Sequence, residues 1–92
     1  MDLQDLRKKI DSIDDSLIQM FEQRLGVSVE IAMYKQQHGL PVYDPDREKQ
    51  KLCDVSQKVK DGNKAHISAL FSLLFDISRA EQERIINSGE ES

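Results

Sequence analysis

The sequence predicts an all-α protein of three helices, one long and two shorter, that assembles with another chain. Three observations predict this fold: a heptad pattern that extends through the first 34 residues, a helix-start signal at residues 44–46, and a turn signal at residues 61–63 followed by a second long apolar stripe. The 92 residues suit a single domain. We expect residues 1–87 to form that helical domain and residues 88–92 to form a frayed C-terminal tail.

The first helix carries an apolar residue at alternating steps of three and four, interrupted only by Arg24. The stripe consists of Leu3, Leu6, Ile10, Ile13, Leu17, Met20, Val27, Ile31 and Tyr34. A helix over residues 5–37, ending near Gly39 and before Pro41, would be roughly 50 Å long. A compact chain of this size has a radius of gyration of only about 12 Å. Because the remaining residues cannot cover such a rod, we expect a homodimer or a larger assembly.

The second helix begins with Asp44 as N-cap and Pro45 in the first turn, and is expected to reach the turn signal at residues 61–63. Its apolar positions are Leu52, Val55 and Val59. The third helix is expected from about Lys64 to Asn87. Its inward positions are predicted to be Ile67, Leu70, Phe71, Leu74, Phe75, Ile77 and Ile85.

Polar residues interrupt all three apolar stripes: Arg24 in the first, Glu48 in the second, and Ser78 and Gln82 in the third. A buried charge without a partner is costly, so these residues need partners or a ligand. One interpretation is a structural ion pair between Arg24 and Glu48 that sets the register of a bundle. The other interpretation is a binding site for a polar ligand.

Spacing separates the cations of the first helix. Arg24 and Lys35 are eleven residues apart, so they share a face about 16 Å apart and could both reach a ligand between them. Arg7 lies about 25 Å from Arg24, and is therefore either a surface residue or part of a site in the partner chain. Arg47 and Glu48 either point toward this face or form a solvated turn. Several cations with one carboxylate suit a compact dianion that carries a hydroxyl group.

Composition and motifs disfavour several other functions. A net charge of −4 and a pI near 5.1 disfavour binding to nucleic acid. No metal site is expected, because His38 and His66 are isolated and Cys53 is the only cysteine. No Ser-His-Asp arrangement or glycine-rich phosphate loop is present. The lone cysteine, and the lack of an apolar leader or a membrane-spanning run, lead us to expect a cytoplasmic protein that contacts no membrane.

Five stretches in this order and spacing carry a family pattern: Leu6-Arg7-Lys8-Lys9-Ile10-Asp11 with Ile13-Asp14, Glu22-Gln23-Arg24, Tyr34-Lys35, residues 39–48 (GLPVYDPDRE), and Ser78-Arg79-Ala80-Glu81-Gln82. Through them the chain resembles the all-α bacterial chorismate mutases over nearly its whole length. The resemblance implies an intertwined helical homodimer with two active sites. It also implies a cofactor-free rearrangement of chorismate to prephenate, on the route to phenylalanine and tyrosine.

The resemblance further implies a role for each site residue. The catalytic residues would be Lys35 and Gln82, which donate to the ether oxygen of the breaking bond, and Glu48, which holds the ring hydroxyl. The substrate-binding residues would be Arg7, Arg24, Arg47, Asp44 and Ser78. Of these, Arg7 would reach in from the partner chain, and the backbone near Asp44 would help to hold the hydroxyl.

Two alternative functions stay open at this point. The first is an isochorismate pyruvate-lyase on the same fold, a branch that lacks the carboxylate found here at Glu48. The second is a helical dimerisation module without catalytic activity. Assays of chorismate and of isochorismate separate the mutase from the lyase and from the module without catalytic activity.

Overall fold

The structure, a computed structural model, describes residues 2–91, and the side chains of residues 2–88. Within that range the chain forms three α-helices and no strand: α1 (Leu3–Gln37), α2 (Pro45–Ser56) and α3 (Lys64–Glu91), with a short 3₁₀ turn at Asp61–Asn63. The predicted all-α fold with one long helix and two shorter ones is confirmed.

Local capping interactions set both ends of α1. At the start, the side chain of Asp2 accepts a hydrogen bond from the backbone N–H of Asp5 at 2.9 Å, so the helix begins two residues earlier than predicted. At the end, the N–H of Leu40 donates to the carbonyl of Lys35 at 2.8 Å, and Gly39 takes a φ of 67°. This arrangement is a Schellman motif, which requires a left-handed residue just after the helix. The predicted end near Gly39 is confirmed.

The second helix begins as predicted but ends earlier. Asp44 caps it by accepting the N–H of Arg47 at 3.1 Å, and Pro45 occupies the first turn. The helix stops at Ser56, whereas the prediction extended it to the turn at residues 61–63. The hydroxyl of Ser56 donates to the carbonyl of Cys53 at 2.8 Å, and this is the carbonyl that residue 57 would bond in a continuing helix.

The three helices form a single layer with α3 in contact with both α1 and α2. The molecule measures 55 × 30 × 15 Å, and the shortest dimension is close to the width of one helix with its side chains, about 10–12 Å. The buried hydrophobic residues are Ala32, Val55 and Phe75, and the buried polar residues are Ser28, Ser78 and Gln82. A layer of this thickness leaves two open faces, so its own core is small.

The heptad stripe of α1 lies largely outside this core. Leu6, Ile10, Ile13, Leu17 and Met20 are all at least half exposed. The accessible surface is 7284 Å², against about 5,500 Å² for a compact monomer of this mass. The radius of gyration is 16.8 Å, against about 12 Å for a compact chain. The prediction that Leu70 points inward is wrong for the isolated chain, since this residue is 44% exposed.

The C-terminal end of α3 lies beyond the predicted limit at Asn87, because the backbone stays helical to Glu91. Met1 and Ser92 lie outside the described residues, as do the side chains of residues 89–91. The frayed tail at residues 88–92, and the domain limit at residue 87, therefore stay predictions. Within residues 2–91, none of the helices combines the length and the apolar character that crossing a bilayer requires.

The Schellman motif at the end of α1 yields a stability prediction. We expect Gly39→Ala to lower the free energy of unfolding by about 1 kcal/mol, because a Cβ disfavours the left-handed conformation of this residue. Gly62→Ala is the matched control, since an added Cβ meets no atom within 4 Å at either position and Gly62 has no positive φ. Denaturant unfolding at one protein concentration measures both variants. Equal stabilities would contradict the conformational explanation.

Candidate active site

Two side-chain hydrogen bonds, which we call the polar rungs, join α1 to α3. In the first rung, Nη1 of Arg24 donates to Oγ of Ser78 at 3.2 Å. In the second rung, Nε2 of Gln82 donates to the backbone carbonyl of Ser28 at 2.7 Å. The partners are four residues apart on each helix, so the rungs lie one turn apart and the two helices run in the same direction there. Three of the polar interruptions in the apolar stripes are thus partners across one helix interface.

The charged residues Arg24 and Glu48 do not pair with each other in the described part of the chain. The guanidinium of Arg24 lies 5.7 Å from the ring centre of Phe71 and 5.8 Å from that of Phe75. The carboxylate of Glu48 pairs instead with Arg79, with Nε and Oε2 3.5 Å apart. The interpretation of Arg24 and Glu48 as one structural ion pair is therefore wrong.

A cavity of about 560 Å³ lies between α1, the loop at residues 38–44, the start of α2 and the middle of α3. Small-molecule sites have volumes of roughly 300–1,000 Å³. Seven of the eight predicted site residues line this cavity: Arg24, Lys35, Asp44, Arg47, Glu48, Ser78 and Gln82. Residues from four separate segments of the chain thus meet at one small-molecule-sized cavity.

The cavity is locally positive within an acidic chain. Its charged lining consists of Arg24, Lys35, Arg47, Lys51 and Arg79, with the carboxylates Asp44 and Glu48. Five positive and two negative groups give a formal charge of +3, whereas the whole chain carries −4. Concentrating cations in a cleft raises the local concentration of anions, so this arrangement suits an anionic ligand despite the net charge.

Lys35 is held at the cavity wall by the loop that follows α1. Its Nζ lies 3.4 Å from the carbonyl of Val42, to which it donates. The Schellman motif turns the chain back after Gly39 and so brings Val42 over the last turn of the helix. An ammonium group has three donors, so two remain for a ligand.

The second polar rung fixes the orientation of the Gln82 side chain. The carbonyl of Ser28 can only accept a hydrogen bond, so the amide nitrogen of Gln82 must face it. The amide NH₂ has two donors, and one of them is free to face the cavity. A buried side chain with one committed donor and one free donor is well suited to bind a ligand oxygen.

The N-cap of α2 places two charged residues at the mouth of the cavity. The carboxylate of Asp44 accepts the N–H of Arg47, and the carbonyl of Asp44 accepts the N–H of Glu48 at 3.2 Å. Arg47 is exposed, whereas the side chain of Glu48 is 23% exposed. The capping interaction therefore orients the first turn of α2 toward the cavity.

Arg7 is the predicted site residue that does not line this cavity. It is exposed on the N-terminal half of α1, 17 residues before Arg24, which corresponds to about 25 Å along the helix. An Arg side chain cannot span that distance. The structure of the single chain thus leaves Arg7 far from its own cavity.

Tyr43, Lys51 and Arg79 are among the lining residues to which sequence reasoning gave no role. The guanidinium of Arg79 lies 5.0 Å from the ring centre of Tyr43 and also pairs with Glu48. Positions 75, 79 and 82 have the i, i+4, i+7 spacing of one helix face, so Arg79 lies on the same face as Phe75 and Gln82. This spacing could have identified Arg79 from the sequence.

The cavity offers hydrogen-bond donors and positive charge. Neither His nor Cys is among its lining residues. The described residues contain no group of three or more His, Cys, Asp or Glu side chains that could hold a metal ion. Such a site can bind an anion, restrict its conformation and stabilise negative charge that develops on an oxygen.

Comparison with known proteins agrees with this geometry. The family model described as chorismate mutase type II matches residues 6–83. The T-protein of Haemophilus influenzae is 42% identical over 77 residues, which cover 84% of this chain and 19% of the T-protein. The chorismate mutase of Methanocaldococcus jannaschii is 29% identical over 86 residues, which cover 91% of this chain and 87% of that enzyme. The 4-amino-4-deoxychorismate mutase of Streptomyces venezuelae is 39% identical over 46 residues, which cover 50% of this chain and 45% of that protein. No solved structure matches the chain significantly.

Proposed function

We propose that this chain, which belongs to the chorismate mutase type II family, catalyses the rearrangement of chorismate to prephenate without a cofactor. The observation that carries the proposal is the meeting of seven predicted site residues, from four segments, at one cavity of about 560 Å³. The product would enter the synthesis of phenylalanine and tyrosine. The chain spans about a fifth of the length of the T-protein, and the proposal concerns this chain alone.

In the proposed complex, Arg24 and Arg47 bind the two carboxylates of the substrate. A guanidinium forms paired hydrogen bonds to a carboxylate, and its planar fork fixes the direction of that carboxylate. Arg24 uses Nη1 in its bond to Ser78 and keeps further donors for the ligand. Ser78 would assist at the same carboxylate through its hydroxyl group.

Catalysis would need no nucleophile and no proton transfer, because the rearrangement makes and breaks bonds within one molecule. The two arginines would hold the enolpyruvyl ether in its compact reactive conformation, which is an orientation effect. Negative charge grows on the ether oxygen as its bond breaks. Lys35 and the free donor of Gln82 would stabilise that charge.

Glu48 would accept a hydrogen bond from the ring hydroxyl, assisted by the backbone near Asp44. The half-buried carboxylate lies on the cavity wall opposite α1, where α2 begins. By family resemblance, an isochorismate pyruvate-lyase lacks this carboxylate, so Glu48 favours the mutase.

The active form is proposed to be an intertwined homodimer in which Arg7 completes the partner's site. The uncovered stripe on α1 and an accessible surface about 1,800 Å² larger than that of a compact monomer support a partner along this helix. Antiparallel pairing of two α1 helices would bring Arg7 of one chain toward the Arg24 end of the other. We also propose a cytoplasmic location, because a free, exposed Cys53 suits a reducing compartment.

The primary test measures chorismate consumption by the purified chain and identifies the product. We expect prephenate, and we expect Lys35→Ala to lower kcat by about 10²–10³-fold because a preorganised donor is lost. Lys64→Ala is the matched control, since Lys64 is an exposed lysine that pairs with Asp61. Pyruvate formed from isochorismate would favour the lyase. No turnover of chorismate by the folded parent protein would favour the dimerisation module and reject the proposal.

A second prediction concerns pH. A Glu at position 82 can donate to the ether oxygen only while it is protonated, and an ordinary Glu has a pKa of about 4.3. Because position 82 is buried, the pKa of an introduced carboxyl is raised above that value, and we expect Gln82→Glu to be active in acidic solution and to lose activity as the pH rises above this raised pKa. The parent should show no such loss, because an amide donates at every pH in that range. A parent whose kcat falls steeply between weakly acidic and neutral pH would contradict this role of Gln82.

A third prediction tests the shared site. Mixing Arg7→Ala and Lys35→Ala proteins under conditions that exchange subunits should restore activity to about a quarter of all sites. A mixed dimer then contains one site with both residues intact and one site with neither. No recovery, with exchange proven by differently tagged chains, would reject the contribution of Arg7 across the dimer.

A further inference from the structure

We propose that Arg79 is a positioning and specificity-determining residue, which holds and neutralises the Glu48 carboxylate so that the cavity selects a neutral ring hydroxyl over a charged ring amine. This inference rests on the proposed function. It adds a role for Arg79 and names the substrate class that Arg79 favours, which is a substrate with a neutral ring hydroxyl.

Arg79 is fixed by contacts on several sides. Its Nε lies 3.5 Å from Oε2 of Glu48 and donates to the carbonyl of Phe75 at 3.4 Å. Its Nη2 pairs with Asp76, one turn earlier on α3. Its guanidinium also lies 5.0 Å from the ring centre of Tyr43, in the loop before α2. The charge of Arg79 is therefore held where α2, α3 and that loop meet.

The surroundings of Glu48 on the cavity side are positive. The side chains of Glu48 and Arg79 are 23% and 36% exposed, so water screens this pair less than a surface pair. Lys51, three residues after Glu48 on α2, also lines the cavity. Asp76 shares the charge of Arg79, but its side chain is 67% exposed and does not line the cavity. A ligand group that reaches Glu48 thus approaches two cations.

This charge distribution discriminates between two chemically similar ligands. A free carboxylate binds an ammonium group more strongly than a hydroxyl group, since both partners are charged. A carboxylate that is paired with a guanidinium still has lone pairs to accept a hydroxyl proton. A second cation at the same place would meet the like charges of Arg79 and Lys51, which is unfavourable. The paired Glu48 is therefore suited to a neutral hydroxyl.

The test compares chorismate with 4-amino-4-deoxychorismate, in which an amine replaces the ring hydroxyl. The measured quantity is the ratio of kcat/KM for chorismate to kcat/KM for the amino analogue. We expect the parent to favour chorismate, and we expect Arg79→Gln to lower this ratio by about 10–100-fold because like-charge repulsion is removed. Arg79→Lys keeps the positive charge, so its ratio should stay close to that of the parent.

Arg84→Gln is the matched control on the same helix. Arg84 pairs with Glu81 three residues earlier, as Arg79 pairs with Asp76, but it does not line the cavity. The hydrogen bond from Arg84 lowers the pKa of the Glu81 carboxyl, so this variant also removes a genuine ion pair. We expect it to leave the ratio unchanged.

A double-mutant cycle separates an electrostatic role from a merely structural one. The repulsion between Arg79 and a ligand ammonium does not require the Glu48 carboxylate, so Arg79→Gln should lower the ratio in a Glu48→Gln background as well. If Arg79 only supported the fold, its replacement would lower both kcat/KM values in either background and leave the ratio as it was. Circular dichroism checks folding, and Arg79→Met, which keeps an unbranched stem against Tyr43, replaces Arg79→Gln if that variant does not fold.

The outcomes distinguish this inference from the proposed function. A parent that converts neither compound rejects the proposed function. A parent that forms prephenate but prefers the amino analogue overturns the inference alone. The inference alone is also overturned if Arg79→Gln and Arg84→Gln change the ratio to the same extent.

Discussion

The structure depends on the place where α1 and α3 meet through the polar rungs. These two hydrogen bonds, from Arg24 to Ser78 and from Gln82 to Ser28, hold two helices that run in the same direction and lie far apart in sequence. A buried donor or acceptor without a partner is costly, so the rungs favour one register between the helices over its neighbours. The same four residues line the cavity. One set of contacts therefore fixes both the packing of the chain and the shape of its candidate site.

The small core makes stability and site geometry hard to separate. As many polar as hydrophobic residues are buried, and the three helices lie in one layer about 15 Å thick. Such a layer cannot cover the stripe on the N-terminal half of α1, and a chain of 92 residues has little apolar area to spare. The proposed dimer would bury that stripe and would also supply Arg7. On this view, assembly and completion of the site are one event.

Two short turns position the charged groups around the cavity. The left-handed Gly39 returns the chain so that Val42 meets Lys35, and the N-cap at Asp44 directs the first turn of α2 inward. Arg79 then links that turn to α3 through Glu48. Because each group is held by backbone geometry or by a neighbour, the positive charge of the cavity is arranged before a ligand arrives. Such preorganisation is what makes electrostatic stabilisation effective.

The sequence by itself determined the three helices, the C-terminal end of α1 and the start of α2, because periodicity and caps depend on residues within a few turns of each other. With the family resemblance, it also predicted seven residues that line the cavity. Only the tertiary structure decided which charges pair. Glu48 meets Arg79 rather than Arg24, since that choice depends on where α2 and α3 cross and not on spacing along either helix. Periodicity likewise did not reveal the early end of α2 at Ser56, where the serine hydroxyl bonds the carbonyl of Cys53.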